Sequence, residues 1–226
     1  MNAYPPSTPS PRFPLKFDAQ GLIPVIVQDH LTGEVRMFAY ATEEALRETL
    51  ETGLATFFSR SRGELWRKGE TSGNTIRVLR VLVDCDGDCV IYSSEPRGNS
   101  CHTGAQTCFF RSLEGVELVA ANASQTVPST LEAVLQSRKE STGKTSYTKS
   151  LYDGGAPVIG AKIREEADEL ARAIESETDE RVVSEAADSL YHTLVGLRWR
   201  SLPFRRVWAE LARRSGKSGH EEKATR

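Results

Sequence analysis

Short apolar runs separated by turn-forming residues mark the first half of the chain and predict β-strands. The stretch LIPVIVQDHLTGEVRMFAY, residues 22–40, predicts two strands that meet at a turn at Thr32 and Gly33. ATFFS and TIRVLRVLVD, residues 55–59 and 75–84, predict two more strands. Strands therefore dominate this half, as is typical of a mixed α+β domain.

One helix interrupts these strands at TEEALRETLETG, residues 42–53. Thr42 is a suitable N-cap for this helix, and Gly53 suits its C-terminal end. The apolar face that the helix is expected to bury consists of Ala45, Leu46 and Leu50. The stretch that follows residue 59, RSRGELWRKGETSGN, is polar and glycine-rich and is interpreted as a loop.

The pattern becomes helical after ANASQTVPS, residues 121–129, which is interpreted as a linker. Ser129 and Glu132 have the spacing of a capping box. Apolar residues then follow at helical spacing, namely Leu131, Val134 and Leu135. The next stretch, SYTKSLYDGGAPVIG, residues 146–160, is interpreted as a loop.

Two amphipathic helices are predicted over residues 159–175 and 180–198. The apolar stripe of the first is formed by Ile163, Ala167, Leu170, Ala171 and Ile174. That of the second is formed by Val183, Ala186, Ala187, Leu190, Leu194 and Leu197. Pro203 suits the first turn of a fourth helix, which would end near Arg214.

These patterns predict two domains of different class. A strand-rich α+β domain would span residues 17–122, and an all-α helical bundle would span residues 130–215. Residues 123–129 would link them. The terminal segments 1–16 and 216–226 offer little to bury and are expected to be disordered.

The charge balance argues against some broad functional classes. The 226 residues carry a net charge of −2, with an isoelectric point near 6.1, so a general nucleic-acid or membrane binder is not expected. No stretch approaches the ~20 apolar residues of a membrane span, and the proline-rich N-terminus does not resemble a secretory signal. A cytoplasmic protein with reduced thiols is therefore predicted. Its four cysteines favour metal binding or catalysis.

The hexapeptide DCDGDC, residues 84–89, concentrates acids and thiols. Asp84, Asp86 and Asp88 fit the first positions of a calcium-binding EF-hand loop. Cys89, however, stands where that loop needs glycine, and a strand-like run precedes it where an EF-hand needs a helix. The calcium interpretation is therefore disfavoured.

Zinc is the second interpretation of this region. Cys85, Cys101 and Cys108 come from separate segments, and three thiolates with one open position suit a catalytic zinc. Cys89 could complete a structural zinc site, while buried free cysteines acting as small apolar residues are the competing interpretation. His102 follows Cys101 and could act as acid or base on water near neutral pH.

The three aspartates could serve a second ion. If DCDGDC is extended, its period of two places the acids on one face and Cys85 and Cys89 on the other. Carboxylate oxygens suit Mg²⁺, whereas thiolates suit Zn²⁺. A solvated turn of Asp and Gly is the alternative.

The polar stretch that begins at residue 59 carries groups that could bind a phosphorylated nucleotide. Arginine and lysine bind phosphate, and an indole ring can stack on a base. The candidate residues are Arg60, Arg62, Trp66, Arg67, Lys68 and Ser72. Composition alone does not separate this interpretation from an ordinary exposed hairpin loop.

The motifs SRSRGELWRKGETSGN, DCDGDC and GNSCHTGAQTCFF, within residues 22–110, resemble phosphoribosyl-AMP cyclohydrolase. Members of that family are zinc- and magnesium-dependent ring-opening enzymes of histidine biosynthesis. The resemblance implies a homodimer whose zinc thiolates come from both subunits, and it places His102 at the catalytic centre. The implied ligands are Cys85, Cys101 and Cys108 for Zn²⁺ and Asp84, Asp86 and Asp88 for Mg²⁺. The implied substrate-binding residues are Arg60, Arg62, Trp66, Lys68 and Ser72.

Acidic residues recur on the two long predicted helices. Glu166 and Glu169 lie three residues apart, as do Glu185 and Asp188, so the members of each pair share a helix face. The first pair flanks the apolar stripe of its helix, together with Lys162. The second pair lies opposite the apolar face of its helix with His192, which by itself indicates a solvated face.

The motifs SYTKSLYDGG, IGAKIREEADEL and SEAADSLYHTL, within residues 131–198, resemble phosphoribosyl-ATP pyrophosphohydrolase, an all-α nucleotide pyrophosphatase. The resemblance implies that the helix face carrying the acids lines a metal cleft or a subunit interface. The residues that it assigns to Mg²⁺ are Glu166, Glu169, Glu185 and Asp188, and Lys162 is assigned to substrate binding.

Together the two resemblances imply a fused bifunctional enzyme. The C-terminal domain would cleave phosphoribosyl-ATP to phosphoribosyl-AMP and pyrophosphate, and the N-terminal domain would open the N1–C6 bond of the adenine ring in that product. Two other classes compete. A nucleobase deaminase would carry a C-x-x-C motif, which this chain lacks, and a non-catalytic zinc module would bind zinc without turnover.

Overall fold

The computed structural model describes residues 13–120, 125–141 and 146–215. The chain divides into two compact units, Met1–Ala121 and Asn122–Arg226. Within the described residues, no helix is both long and apolar enough to cross a membrane. The predicted architecture, a strand-rich domain followed by a helical one, is confirmed.

A six-stranded sheet forms the body of the first unit. Its strands are β1 (Ile23–Asp29), β2 (Val35–Ala41), β3 (Thr56–Ser59), β4 (Glu64–Arg67), β5 (Ile76–Val83) and β6 (Val90–Pro96). Their order across the sheet is β4-β3-β2-β1-β6-β5, with β1 and β6 parallel and the other neighbours antiparallel. A separate hairpin pairs β7 (Arg111–Glu114) with β8 (Glu117–Ala120). The tight connection between β5 and β6 is the DCDGDC segment.

The core of this unit is built on alternate residues of β1, where Ile23, Val25 and Val27 are fully buried. Helix α1 (Glu43–Thr52) packs on it and begins as predicted, because the Thr42 side chain accepts a hydrogen bond from the Ala45 N–H. It also ends as predicted, at Gly53 with a left-handed φ of 68°.

Three expectations for this unit are wrong in detail. Leu50 is mostly exposed, and Thr49 takes the buried position because its hydroxyl bonds the Ala45 carbonyl. The stretch after residue 59 is not all loop, since its middle pairs with β3 as β4. Segment 1–16 was expected to be disordered; residues 1–12 lie outside the described part, but Phe13 and Leu15 pack against the sheet core.

The second unit is helical, with α2 (Val127–Glu140), α3 (Tyr147–Ser176), α4 (Asp179–Trp199) and α5 (Arg205–Arg214). Its core contains Leu135, Leu151, Ile159, Leu194, Val195 and Phe204. Residues 121–124 of the predicted linker and the predicted disordered tail 216–226 lie outside the described residues.

Several predicted helix boundaries are wrong. Helix α2 begins within the predicted linker, with Thr126 rather than Ser129 at the N-cap position. The stretch interpreted as a loop at residues 146–160 is the first part of α3, which Ser146 caps through its side chain. Gly155, with φ 65° and ψ −160°, kinks α3 there and lets one helix run into the next. Pro203 precedes α5 rather than lying in its first turn.

The hydrophobic pattern predicts the packed faces of α3 and α4 only in part. Leu194 of the predicted stripe is buried in the core, and Ile163 and Leu197 pack against it. Ile174, Val183 and Leu190 are exposed, and so are Ala167, Ala171, Ala186 and Ala187. Instead Glu166, Glu185 and His192 are buried. The interpretation of Glu185 and His192 as a solvated face is therefore wrong. Ion pairs with lysine and arginine make this burial of acids possible, as described below.

Candidate active sites

The DCDGDC segment forms a closed turn between β5 and β6. Asp84 Oδ1 accepts hydrogen bonds from the backbone N–H groups of Gly87, Asp88 and Cys89, at 3.0, 3.0 and 3.1 Å. The prediction of an extended segment is therefore wrong, because one side chain satisfies three backbone donors and curls the chain. Gly87, with φ 80°, takes the left-handed conformation that this turn requires.

The turn nevertheless gathers the three aspartates. Carboxylate oxygens of Asp84, Asp86 and Asp88 all lie within 4.8 Å of one another on the exposed surface. The backbone hydrogen bond from Cys89 lowers the pKa of Asp84, whereas the hydrogen bond with Asp84 and the charge of Asp86 raise the pKa of Asp88. Three adjacent oxygen donors with this mutual repulsion fit a hard divalent cation such as Mg²⁺.

Two of the three candidate zinc thiols lie together in the loop between β6 and β7. The Cys101 thiol is buried and accepts a hydrogen bond from Thr103 Oγ1 at 3.1 Å, which lowers its pKa. Cys108 lies close enough to Cys101 for the two thiols to affect each other's pKa. Although Cys108 is exposed, partial desolvation of its thiol, followed by the charge of Cys101, raises its pKa to about 11. Adjacent thiols of this kind fit a thiophilic ion such as Zn²⁺.

Cys85 does not join these two thiols within the single chain. Among the described residues, the only groups of three or more His, Cys, Asp or Glu whose ligand atoms lie within 4.8 Å are the aspartate turn and a cluster in the helical unit. The Cys85 thiol is exposed and lies 3.8 Å from Asp86 Oδ1. His102 is exposed beside the thiol pair, with Nδ1 3.9 Å from Cys101 Sγ.

The candidate substrate-binding residues lie before, within and after β4 along the chain. Arg60 stacks over the Tyr40 ring at 4.0 Å, and Arg62 pairs with Glu64 at 3.2 Å. Trp66 packs on Phe57, with ring centroids 4.9 Å apart, so part of its indole surface belongs to the core.

The residues after β4 approach the thiol loop. The positive charge of Lys68 is close enough to Cys108 to oppose the rise in its pKa. The Ser72 hydroxyl accepts a hydrogen bond from the Asn74 N–H at 3.3 Å, and the Arg97 N–H donates to the Thr75 carbonyl at 2.8 Å. The polar loop and the segment that leads to Cys101 are therefore attached to each other.

The helical unit contains a second carboxylate cluster, at the seam between α3 and α4. Oxygens of Glu166, Glu185 and Asp188 lie within 4.8 Å of one another, and the first two residues are almost fully buried. Glu169 lies at the edge of this cluster, close enough to Glu185 for its charge to raise the pKa of Glu185. The donor set again fits Mg²⁺.

Two cations partner the buried acids. Lys162 Nζ lies 3.0 Å from Glu166 Oε1 and 3.0 Å from Glu165 Oε2, and these hydrogen bonds raise the pKa of Lys162. Arg181 pairs with Glu185. Burial still raises the pKa of Glu185, although the charge of Arg181 opposes this. Burial therefore disfavours the negative charge that these carboxylates carry. A cation bound between them would stabilise their charged form.

Sequence reasoning missed a hydrogen-bonded pair beside this cluster. The Tyr147 hydroxyl lies 2.8 Å from His192 Nε2, and His192 Nδ1 lies 2.9 Å from the Asp188 carbonyl. Because that carbonyl only accepts, Nδ1 carries a proton, and in the neutral ring Nε2 then accepts from the Tyr147 hydroxyl. Tyr147 had been placed in a loop, so only its position in the SYT motif could have indicated it.

Comparison with known proteins supports an assignment for both units. Residues 37–110 match the family model of phosphoribosyl-AMP cyclohydrolase, and residues 129–215 match that of phosphoribosyl-ATP pyrophosphohydrolase.

Similar full-length proteins carry both parts in one chain. The "Histidine biosynthesis bifunctional protein HisIE" of Aquifex aeolicus is 45% identical over 201 residues, covering 88% of this chain and 98% of the relative. The protein of the same name from Thermus thermophilus is 47% identical over 184 residues, covering 81% and 84%. The "Histidine biosynthesis bifunctional protein hisIE, chloroplastic" of Arabidopsis thaliana is 43% identical over 222 residues, covering 94% and 79%.

Proposed function

Because the chain belongs to the HisIE family of bifunctional histidine-biosynthesis proteins, we propose how its two domains divide the second and third steps of that pathway. The protein is a bifunctional hydrolase. Its C-terminal domain hydrolyses phosphoribosyl-ATP to phosphoribosyl-AMP and pyrophosphate. Its N-terminal domain then adds water to the adenine ring of that product and opens the N1–C6 bond. The observation that supports this division is that each domain has its own cluster of candidate metal-ligand residues.

In the helical domain, Glu166, Glu185 and Asp188 are proposed to hold Mg²⁺, with Glu169 at the edge of the cluster. The ion would screen the triphosphate and polarise its phosphorus–oxygen bonds. Lys162 reaches the same cluster from α3. When phosphate oxygens enter, its ammonium can exchange Glu166 for the substrate and so bind and orient it.

In the strand-rich domain, Cys101 and Cys108 are proposed as zinc ligands and the aspartate turn as a magnesium site. Zinc would act as a Lewis acid at the purine and lower the pKa of water. His102 stands beside Cys101, so its imidazole can carry a proton to or from the reacting water. Arg60, Arg62, Lys68 and Ser72 are proposed to bind the substrate phosphates, and Trp66 to contact the base.

We propose a homodimer in which Cys85 of one subunit completes the zinc site of the other. Two observations support this. Cys85 is exposed and apart from Cys101 and Cys108 within its own chain. In addition, Ile174 of α3 and Val183 and Leu190 of α4 are exposed in the single chain, and exposed apolar surface of this kind marks interaction sites.

The proposed partners are phosphoribosyl nucleotides alone, without nucleic acid or a membrane. The net charge of −2 supports this, since it offers no general attraction to polyanions. A cytoplasmic location is proposed because all four cysteines are free thiols, which suits a reducing compartment.

The direct test is to incubate the purified protein with phosphoribosyl-ATP, Mg²⁺ and Zn²⁺ while following pyrophosphate and the ring-opened product together. We expect pyrophosphate to appear first and the ring-opened product to follow. Zinc binding without turnover of either nucleotide would instead identify a non-catalytic zinc module.

A further inference from the structure

Arg36 is a buried arginine on β2, with only 4% of its surface exposed. Arginine is rarely buried unless its donors are satisfied, because removing the charge from water is costly. No motif or pattern singled out this residue, which lies in the apolar run VRMFAYA. Its burial therefore requires hydrogen-bond partners for the guanidinium group nearby.

The side chain of Arg36 holds the segment just before Cys101. Its Nε donates to Ser100 Oγ at 3.2 Å, and its Nη2 donates to the Gly98 carbonyl at 3.0 Å. Ser100 is itself buried. The rigid guanidinium plane thus fixes two points of the chain within three residues of the first thiol.

The main chain of Arg36 holds the other end of the same loop. Its carbonyl accepts a hydrogen bond from the Cys108 N–H at 2.9 Å. Val35 of β2 and Glu34, which directly precedes this strand, add two more attachments. Thr107 Oγ1 donates to the Val35 carbonyl at 2.7 Å, and Gln106 Nε2 donates to Glu34 Oε2 at 3.3 Å. One residue of β2 is therefore bonded to the chain on both sides of the thiol pair.

The loop between these attachments is short and internally bonded. The Cys101 N–H donates to the Ala105 carbonyl at 3.0 Å, and the Ser100 N–H donates to the Gln106 carbonyl at 3.2 Å. Given this closed loop, the separation of the two sulfurs depends on how its base is held. Arg36 cannot bind a cation itself, since a guanidinium offers no lone pair.

We propose that Arg36 is a positioning residue for zinc, holding Cys101 and Cys108 at the spacing that one ion requires. The inference rests on the proposed function in taking these two cysteines as zinc ligands. Groups that orient metal ligands change metal affinity by roughly 10- to 100-fold when they are removed. We expect a loss of that size for Arg36.

The test uses the full-length protein and the metals alone. Arg36→Met removes the donors and keeps the length of the side chain, Arg36→Lys keeps the charge with a single donor group, and Ser100→Ala removes one acceptor. Arg77→Met is the matched control, because Arg77 lies exposed on β5 and pairs only loosely with Glu95 at 3.6 Å. Zinc affinity is measured by competition with a chromophoric chelator, and the thiolate-to-cobalt absorption is recorded on the Co²⁺-loaded proteins.

The expected order of zinc affinity is wild type and Arg77→Met together, then Arg36→Lys, then Arg36→Met. The cobalt spectrum should shift only in the Arg36 and Ser100 variants, which a general loss of stability would not produce. Wild-type affinity and spectrum in a folded Arg36→Met would overturn the proposal. If Arg36→Met fails to fold, wild-type zinc affinity and an unchanged cobalt spectrum in both Arg36→Lys and Ser100→Ala would overturn the proposal. A wild-type protein that binds neither metal would show instead that the zinc assignment itself is wrong, and the proposal would fall with it.

Discussion

Glu166 and Glu185 are ionisable residues with almost no exposed surface, 6% and 3%. Each has a cation within reach, Lys162 for the first and Arg181 for the second. Removing one partner of such a pair leaves an uncompensated buried charge, which is strongly destabilising. Arg36 is the counterpart in the strand-rich domain, where a buried charge is satisfied by a hydroxyl and a carbonyl. Each candidate site thus depends on individual buried charged residues that have specific partners.

Tyr92 gives a residue-scale prediction for alkaline pH. Its hydroxyl donates to the Thr56 carbonyl at 3.3 Å, and burial raises its pKa to about 12. An unfolded tyrosine has a pKa of about 10. Above that pH the unfolded chain releases a proton that the folded protein keeps, so stability is full below pH ~10 and falls as pH rises towards 12.

Tyr92→Phe should therefore be less stable than wild type at pH 8, by about 1 kcal/mol for the lost hydrogen bond. The deficit should shrink or reverse towards pH 12, because the wild type loses up to about 2.7 kcal/mol that the variant does not. Denaturant unfolding at both pH values measures this. A deficit that stays constant with pH would contradict the assigned pKa.

At the scale of elements, α1 was predicted correctly because both of its ends carry local signals, the Thr42 cap and Gly53. The start of α3 was not, because GGAP reads as a loop although Gly155 only kinks the helix. The burial of the acids in α3 and α4 could not be read from their periodicity. That pattern finds apolar residues, whereas the buried acids occupy positions where Lys162 and Arg181 pair with them.

Gly155 gives the prediction for this scale. Its φ of 65° with ψ −160° lies in a region that is essentially restricted to glycine and costs an L-residue about 1–3 kcal/mol, although a Cβ there would meet Trp199 only at 3.7 Å. Gly155→Ala should lower the free energy of unfolding of the helical domain by that amount. It should also slow pyrophosphate release, since the kink determines the direction of the part of α3 that carries Tyr147.

Gly160→Ala is the matched control for Gly155→Ala. Gly160 lies in the regular part of α3, where a Cβ would meet Arg164 at an ordinary 3.5 Å. Alanine should stabilise the helix there by roughly 0.5–1 kcal/mol. Urea unfolding compares the two variants, and equal effects would show that the kink has no special requirement for glycine.

At the scale of the whole molecule, each domain carries its own candidate site, and the family relationship places both in one enzyme. Fold class and the two activities follow from motifs of adjacent residues, so sequence was sufficient for them. The spacing of the cysteines did not show that Cys85 is separate from the other two thiols, because this depends on how the turn between β5 and β6 and the later loop lie in space. Only the resemblance, which implies thiolates from both subunits, indicated such a separation.

The proposed dimer gives a prediction at this scale. Leu190 is exposed on the apolar stripe of α4. Leu190→Glu should weaken association and shift the mass measured by light scattering from dimer towards monomer, because a charge would be buried at the interface. Val116→Glu, which alters an exposed residue between β7 and β8, should leave the mass unchanged. A protein that is monomeric before mutation would contradict the dimer.

The central claim is that two independent hydrolytic sites lie in one chain, and reciprocal inactivation tests it most directly. Cys101→Ala and Glu166→Gln are each assayed with phosphoribosyl-ATP and, separately, with supplied phosphoribosyl-AMP. We predict that Cys101→Ala releases pyrophosphate at the wild-type rate and accumulates phosphoribosyl-AMP. Glu166→Gln should open the ring of supplied phosphoribosyl-AMP normally, while its pyrophosphate release falls at least ~100-fold. Loss of both activities in either folded variant would contradict the two-site account.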